Sequence, residues 1–214
     1  MSEAKDVHAY YCFDVLKNFL ATYEKPRYSD SDIDVHGASA LSSINEMFEN
    51  KDYPLFVTWT TSKRSMDELR GCIGNFEPMP LYTGLKDYAL VSALRDTRFS
   101  PVKGTELADL SCSVSLLVNF EQAKDCYDWE IGTHGIRIVY KDRNGRSCSS
   151  TYLPEVAEEQ GWDKPETLRS LMQKGGFRGE ILDSDLKNVK LTRYQSHKVK
   201  VTYAQYQDFL LGRK

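Results

Sequence analysis

The sequence predicts an α+β protein in which antiparallel or mixed sheets are surrounded by helices. Apolar residues recur at helical spacing near the start of the chain and alternate at strand spacing in the middle. Helices and strands are interspersed without the regular strand–helix–strand order of a parallel sheet. The 214 residues contain no internal repeat or long linker, and their number suits one sizeable domain or two small lobes.

The first half of the chain predicts helices on either side of an antiparallel hairpin. Apolar residues at helical spacing predict the helices. β-Branched and aromatic residues, followed by a short polar connection, predict the hairpin. We expect Pro78 and Pro80 to break the chain after the hairpin. These predicted elements are helices at about 3–24, 38–49 and 81–96, and strands at about 54–61 and 69–74.

The second half of the chain predicts further strands and several capped helices. Apolar and polar residues alternate over 111–120, and an Asn-Gly turn at 144–145 predicts another hairpin. Asp163 and Thr202 are possible helix caps, because each is followed three residues later by a glutamate or glutamine. These predicted elements are strands at about 111–120, 136–140, 146–152, 189–194 and 199–201, and helices beginning near Pro154, Asp163 and Thr202.

Composition indicates an ordinary globular protein, with 41% hydrophobic and 28% charged residues. A net charge of −3 gives no overall attraction to nucleic acid or to an anionic membrane. We expect no membrane span and no secretion signal, because no apolar run is long enough and the first residues are polar. Five cysteines without regular spacing favour a reducing compartment, the cytoplasm or the nucleus.

The segment Leu69–Gly74 combines an arginine, a cysteine and two glycines on one predicted strand. Alternation predicts a guanidinium and a thiol about 7 Å apart along an accessible face. Glycine would let a ligand or another backbone approach closely. The structural alternative is a buried cysteine beside glycines that mark a bulge. The predicted inward residues are Leu69, Gly71 and Ile73, and the predicted outward residues are Arg70, Cys72 and Gly74.

Other residues could complete a site around Cys72, which would act as a nucleophile or a redox thiol. His134 is the histidine we select as a general acid or base. Arg98, next to Asp96, could join Arg70 in binding a carboxylate or phosphate. The alternative for Arg98 is a favourable position at a helix C-terminus. The predicted ligand-binding residues are Arg70, Gly71, Gly74, Asp96 and Arg98.

Two other kinds of site receive less support from the sequence. No close pair of cysteines or histidines has zinc-site spacing, and no nucleotide-binding loop is present, so we predict no metal and no cofactor. The stretch 187–200 is basic and includes Tyr194. It could contact phosphates, or it could be an edge hairpin protected by lysines against aggregation.

Several motifs resemble those of the AMMECR domain family, and the resemblance extends from about residue 10 to residue 206. The six-residue segment beginning at Leu69 is the most specific of them. The matching segments are Leu69–Gly74, Asp96–Phe99, Cys112–Leu117, Asp128–Glu130, His134–Ile136, Tyr152–Ala157, Gln160–Asp163, Lys174–Gly176 and Lys190–Tyr194.

The resemblance implies one AMMECR-like domain over residues 1–214, with two unequal lobes. The larger lobe would come from both chain ends and the smaller lobe from the middle, with Leu69–Gly74 near their junction. The biochemical activity of the family is not established. Prokaryotic relatives occur fused to, or beside, Memo-like and radical-SAM proteins, which suggests enzymatic chemistry, whereas human members have been discussed as nuclear or regulatory factors.

Two functions therefore stay open from the sequence. The first is an enzyme, or a protein that binds a small anionic ligand, with its site around Leu69–Gly74. The second is a non-enzymatic regulatory or scaffold module that binds a protein partner, with nucleic acid as the weaker candidate.

Overall fold

The computed structural model describes residues 4–23, 44, 46–63 and 66–212. The chain divides into two compact units. The first unit comprises Met1–Leu116 and His197–Lys214, and the second comprises Leu117–Ser196. Each unit has its own cluster of buried apolar side chains.

Six strands form the sheet: β1 (Asp52–Lys63), β2 (Met66–Pro80), β3 (Leu110–Gln122), β4 (Gly135–Lys141), β5 (Ser147–Tyr152) and β6 (Lys190–Thr202). Their order is β2-β1-β3-β6-β4-β5. Strand β1 pairs in antiparallel orientation with β2 and β3, and β4 pairs in the same way with β5 and β6. The α+β class predicted from the sequence is confirmed.

The helices of the first unit pack with β1 and β3 around one cluster of buried apolar side chains. They are α1 (Asp6–Tyr23), α2 (Leu81–Leu94), a 3₁₀ helix (Gly104–Asp109) and α6 (Tyr203–Leu210). Trp59 of β1 is fully buried beneath α2, where its indole N–H donates to the carbonyl oxygen of Ala89 at 3.0 Å. The hydroxyl of Tyr206 donates to the buried carboxylate of Asp14 at 2.8 Å, which joins α6 to α1.

The second unit has a smaller core between β4, β5 and three helices, α3 (Pro154–Gln160), α4 (Lys164–Lys174) and α5 (Asp183–Lys187). Tyr140 of β4 is buried, and its hydroxyl donates to the carbonyl oxygen of Met172 in α4 at 2.7 Å. Asp163 caps α4 by accepting the backbone N–H of Glu166 at 2.8 Å. Leu168, Leu171 and Met172 form the buried stripe of this helix, as their spacing predicts.

Most of the predicted elements are confirmed. The hairpin of β1 and β2, the hairpin of β4 and β5, and the capping boxes at Asp163 and Thr202 are present. Most of the helix predicted at 38–49 lies outside the described residues. The short helix α5 was not predicted.

Three strand predictions were wrong in extent or in burial. Strand β2 continues through Pro78 and Pro80. An edge strand tolerates proline because one side of the strand has no neighbour that needs the missing N–H group. The strands predicted at 189–194 and 199–201 form the single strand β6. Strand β3 alternates in sequence, but Leu110–Val118 is buried on both faces, and the intervening positions with three serines and Leu117 are buried as well.

Candidate functional site

The predicted site segment Leu69–Gly74 lies in β2, the edge strand of the first unit. The register of β2 against β1 shifts between Trp59 and Thr60, and this shift leaves Arg70 as the extra residue of a β-bulge. A bulge changes the direction of the side chains that flank it. Leu69 therefore points away from the core and is 41% exposed, so its predicted inward orientation was wrong.

Both glycines of the segment are required by close packing of the backbone. A Cβ atom on Gly71 would lie 2.0 Å from the carbonyl oxygen of Ser92 in α2. A Cβ atom on Gly74 would lie 2.3 Å from the carbonyl oxygen of Leu55 in β1. Main-chain atoms would have to move to admit a side chain at either position. Packing thus accounts for both residues, and their role in ligand binding stays a prediction.

Arg70 is held by internal contacts. Its Nε and Nη2 atoms donate to the two carboxylate oxygens of Glu106 at 2.9 and 3.1 Å. Its Nη1 atom donates to the carbonyl oxygen of Ser100 at 2.7 Å. The Arg70 side chain is 12% exposed, so the expected accessible guanidinium at this position was wrong. The bulged residue instead fastens β2 to the segment that precedes β3.

Asp96 and Arg98 cover the outer edge of β2 at Cys72. The Asp96 carboxylate accepts the Cys72 N–H at 2.9 Å, and Arg98 Nη2 donates to the Cys72 carbonyl oxygen at 3.2 Å. Arg98 also binds both oxygens of Asp96, at 2.9 Å through Nε and at 2.6 Å through Nη2. An edge strand otherwise presents its N–H and C=O groups to other chains. The two side chains therefore take the place of a neighbouring strand.

Asp96 and Arg98 form an ion pair, and the two side chains differ in their exposure to solvent. The Asp96 side chain is 4% exposed, and the Arg98 side chain is 55% exposed. The hydrogen bond from Arg98 holds the pKa of Asp96 well below its ordinary range, against the opposing effect of burial. The hydrogen bond to Asp96 raises the pKa of Arg98. The cluster thus presents a cation to solvent above an ionised, enclosed carboxylate.

The Cys72 thiol lies on the face of β2 that points away from the core. Thr58 is its partner in β1, and the Thr58 hydroxyl donates to Cys72 Sγ at 3.1 Å. Cys72 is half-buried, whereas the other four cysteines of the chain are buried: Cys12, Cys112, Cys126 and Cys148. Cys72 is therefore the cysteine most open to a reagent.

His134, the predicted acid or base, belongs to the second unit. The ring Nδ1 atom of His134 accepts the backbone N–H of Glu130 at 3.0 Å. The backbone N–H of His134 donates to the Glu130 carbonyl oxygen at 2.9 Å. The described contacts bring together Cys72, Asp96 and Arg98. A catalytic role for His134 stays a prediction.

Three further residues that contact Cys72 or Arg70 were not anticipated from the sequence. Thr58 contacts Cys72, and Ser100 and Glu106 contact Arg70. The position of Thr58 depends on strand register, and Ser100 contributes only a carbonyl oxygen, so neither gave a signal. Glu106 did offer one. It stands three residues after Lys103, whose N–H it accepts at 2.9 Å, and this is the spacing of a helix start.

The basic stretch 187–200 is partly neutralised within the chain. Arg193 contacts two carboxylates, each at 2.8 Å, and Lys200 pairs with Asp67. The predicted edge hairpin was wrong, because β6 lies between β3 and β4 in the sheet and is not an edge strand. Phosphate contact by this stretch stays a prediction. Among the described residues, no group of three or more His, Cys, Asp or Glu side chains could hold a metal ion. Over the same part of the chain, no helix has both the length and the apolar character to cross a membrane.

Comparisons with known proteins match nearly the whole chain. The AMMECR1 family model matches residues 9–199. An uncharacterized protein of Arabidopsis thaliana is 39% identical over 212 residues, which cover 98% of this chain and 91% of the relative. An uncharacterized protein of Schizosaccharomyces pombe is 40% identical over 202 residues, which cover 94% of this chain and 95% of the relative.

A solved structure supports the same fold. The crystal structure of an uncharacterized protein from Pyrococcus horikoshii superposes with a TM-score of 0.66 over 94% of this chain and 92% of that one. Its sequence identity is 24%, so this likeness concerns the fold alone. None of these relatives brings an established activity with it. The family model and the two eukaryotic relatives together show that the chain belongs to the AMMECR1 family.

Proposed function

We propose that this chain binds a small anionic ligand at Arg98 and that Cys72 is the reactive group of the site. One observation carries the proposal: Thr58 donates a hydrogen bond to the half-buried Cys72 sulfur, and the half-exposed Arg98 lies against the same residue. A hydroxyl donor and a cation are typical surroundings of reactive cysteines.

The residues of the site would have different roles. Cys72 would be the nucleophile or redox thiol, and Arg98 would attract the anion. Asp96 would be a positioning residue, because its carboxylate holds both the Cys72 N–H and the Arg98 guanidinium. Arg70 is left out of ligand binding here, since its donors already contact Glu106 and Ser100.

Alkylation with two reagents of similar size and different charge tests this proposal. The native protein is treated separately with iodoacetate, which is anionic, and iodoacetamide, which is neutral. Each reaction forms a bond from sulfur to carbon and releases iodide. We expect one label per chain at Cys72. The rate ratio of iodoacetate to iodoacetamide should exceed that of a free thiol by about fivefold, the effect of one nearby cation in water.

Matched variants separate the effect of the Arg98 charge from labelling at other cysteines and from changes in access to the Cys72 thiol. Cys72→Ser should abolish labelling. Arg98→Ala should bring the rate ratio to the free-thiol value or below it, because the Asp96 carboxylate stays beside Cys72. The ratio within one variant cancels any change in access to the thiol. Arg95→Ala removes an exposed charge at the end of α2 and should preserve the preference. Absence of labelling in the native protein, or a free-thiol ratio, would contradict the proposal.

A regulatory or scaffold module that binds a protein partner is the second candidate. It is favoured by the internal use of Arg70 and Asp96, whose polar atoms serve the fold. In this case a tagged chain should capture the same reproducible partners with or without Cys72→Ser. Failure to capture any reproducible partner would count against it. A nucleic-acid partner would require binding that weakens steeply with salt and on Lys198→Ala.

We further infer that the chain works in the cytoplasm or the nucleus. The support is the odd number of cysteines without the spacing of a disulfide framework. Imaging of a fluorescently tagged chain in living cells tests this location. Accumulation in the secretory pathway would contradict it.

A further inference from the structure

A small pocket in the second unit lies between two loops. One loop is the turn 142–146, which joins β4 to β5, and the other is the segment 175–180 that follows α4. The pocket has a volume of about 120 Å³, roughly the space of four water molecules. It thus has room for one compact polar group.

Three arginine residues line this pocket, which we call the arginine pocket: Arg143, Arg146 and Arg178. One carboxylate, that of Asp142, accompanies them. The Asp142 oxygens are already engaged, since they accept the backbone N–H groups of Asn144 and Arg146, each at 2.9 Å, and Arg146 Nε at 3.2 Å. The carboxylate therefore serves the turn, and the charge offered to a ligand is positive.

Many donor groups of these arginines are left for a ligand. The Arg146 guanidinium contacts Asp142 through Nε and also interacts with the Cys148 side chain, and the Arg146 side chain is 70% exposed. Among the described residues, Arg178 has neither a hydrogen bond nor an ion pair through its guanidinium. Arg143 donates to the carbonyl oxygen of Glu180 at 2.7 Å, a neutral acceptor that leaves its charge uncompensated.

The pocket is supported by packed and conformationally restricted residues. The guanidinium of Arg143 lies 5.7 Å from the ring centroid of Phe177, and Phe177 is buried. Gly176 has a φ of +96°, which disfavours other residues, and a Cβ atom there would lie 3.9 Å from Arg146 Nη2. Arg146 thus extends beside the bare Cα of Gly176. The two loops are held in a fixed relation by these contacts and by the hydrogen bond from Arg143.

We propose that the arginine pocket binds a phosphate group, presented by a small phosphomonoester or by a phosphorylated side chain. Planar guanidinium groups match the oxygens of phosphate through paired hydrogen bonds, and several of them together compensate a dianion. The volume accommodates the phosphoryl group and leaves the rest of the ligand outside. The inference is independent of Cys72, because every residue of the pocket belongs to the second unit.

Titration of the whole chain with inorganic phosphate at constant ionic strength tests the proposal. Binding is followed by NMR through the side-chain Nε–Hε signals of the arginines. We expect saturable shifts with a single dissociation constant. Arg146→Gln and Arg178→Gln should each weaken phosphate binding about tenfold, since each removes a charge-assisted interaction. The turn should persist in Arg146→Gln, because the backbone N–H of residue 146 still reaches Asp142.

Arg169→Gln is the matched control. Arg169 is a partly exposed arginine of the same unit that pairs with Asp183 and does not line the pocket. Phosphate affinity should be unchanged in this variant. Equal weakening by Arg169→Gln, or shifts that grow linearly without saturation, would overturn the proposal. A blocked phosphoserine peptide distinguishes the two sources: much tighter binding than phosphate favours a phosphorylated side chain, and equal binding favours a small phosphomonoester.

Discussion

Two arginine-containing regions of this molecule use the same functional group in opposite ways. At β2, Arg70 directs its donors to the Glu106 carboxylate and the Ser100 carbonyl oxygen of its own unit. In the arginine pocket, Arg178 keeps donors without partners among the described residues. A guanidinium close to a distinctive motif can therefore be a structural part. One on an ordinary turn can be the better candidate for ligand binding.

The difference follows from local backbone requirements. Strand β2 is an edge strand with a bulge, so its N–H and C=O groups need partners that no strand supplies. The turn 142–146 satisfies its backbone through the Asp142 side chain and through its own hydrogen bonds. Its arginines are left with donors to spare. Variants that remove one group from each region should separate structural from ligand-binding roles.

The largest effect is expected for Asp96→Ala. The change leaves the Cys72 N–H without its acceptor at an enclosed position, and it leaves the half-exposed Arg98 guanidinium without its counter-ion. The free energy of unfolding should fall by about 3 kcal/mol. Urea denaturation measures it. Asp183→Ala, at a carboxylate that is 79% exposed, is the control and should cause no measurable change, and a similar loss in both variants would contradict the structural role.

A smaller effect is expected for Arg70→Ala. The Glu106 carboxylate and the Ser100 carbonyl oxygen lose their donor, but Glu106 is 31% exposed and can bind water instead. We expect a loss of about 2 kcal/mol. Arg178→Ala should change the stability by less than about 0.5 kcal/mol, since it removes no internal contact among the described residues. Equal losses in the free energy of unfolding for Arg70→Ala and Arg178→Ala, measured by urea denaturation, would contradict the distinction between the two regions.

The smallest effect is expected from pH. The hydrogen bond with Arg98 lowers the pKa of Asp96 in the folded protein. The ionised carboxylate therefore stabilises the fold at pH values above its ordinary pKa of 3.8. The contribution is lost progressively as the pH falls below that value. Between about pH 4 and pH 2.5, wild-type stability should therefore fall more steeply than that of Asp96→Asn. Parallel curves from acid titration of the two proteins would show that Asp96 is not the group responsible.

Sequence patterns were sufficient to predict the fold class, because the type of each helix or strand depends on local periodicity and on helix caps. The alternation of 111–120, the Asn-Gly turn and the capping pairs at Asp163 and Thr202 all correspond to elements of the structure. Strand lengths were predicted less well. The tolerance of Pro78 in β2 depends on its edge position, which only the pairing of strands reveals.

The sequence indicated which residues meet at the edge of β2 but not their geometry, and their functional role stays a prediction. Cys72, Asp96 and Arg98 do lie together, although no periodic pattern places 96–98 against the edge of β2. The bulge at Arg70 cannot be deduced from the residue sequence, because it depends on the register of β1. That single inserted residue changed the orientation of Leu69 and enclosed Arg70. The contribution of Thr58 depends on the same register.

The unbroken burial of Leu110–Val118 in β3 has a consequence for how the chain reaches its native state. The segment is uncharged, lacks proline and is largely apolar, which makes it prone to intermolecular association while it is exposed. Its partner β1 is synthesised earlier, but β6 follows only near the end of the chain. A newly made chain must therefore shield β3 until the last strand emerges, and molecular chaperones that bind extended apolar segments should recognise this stretch.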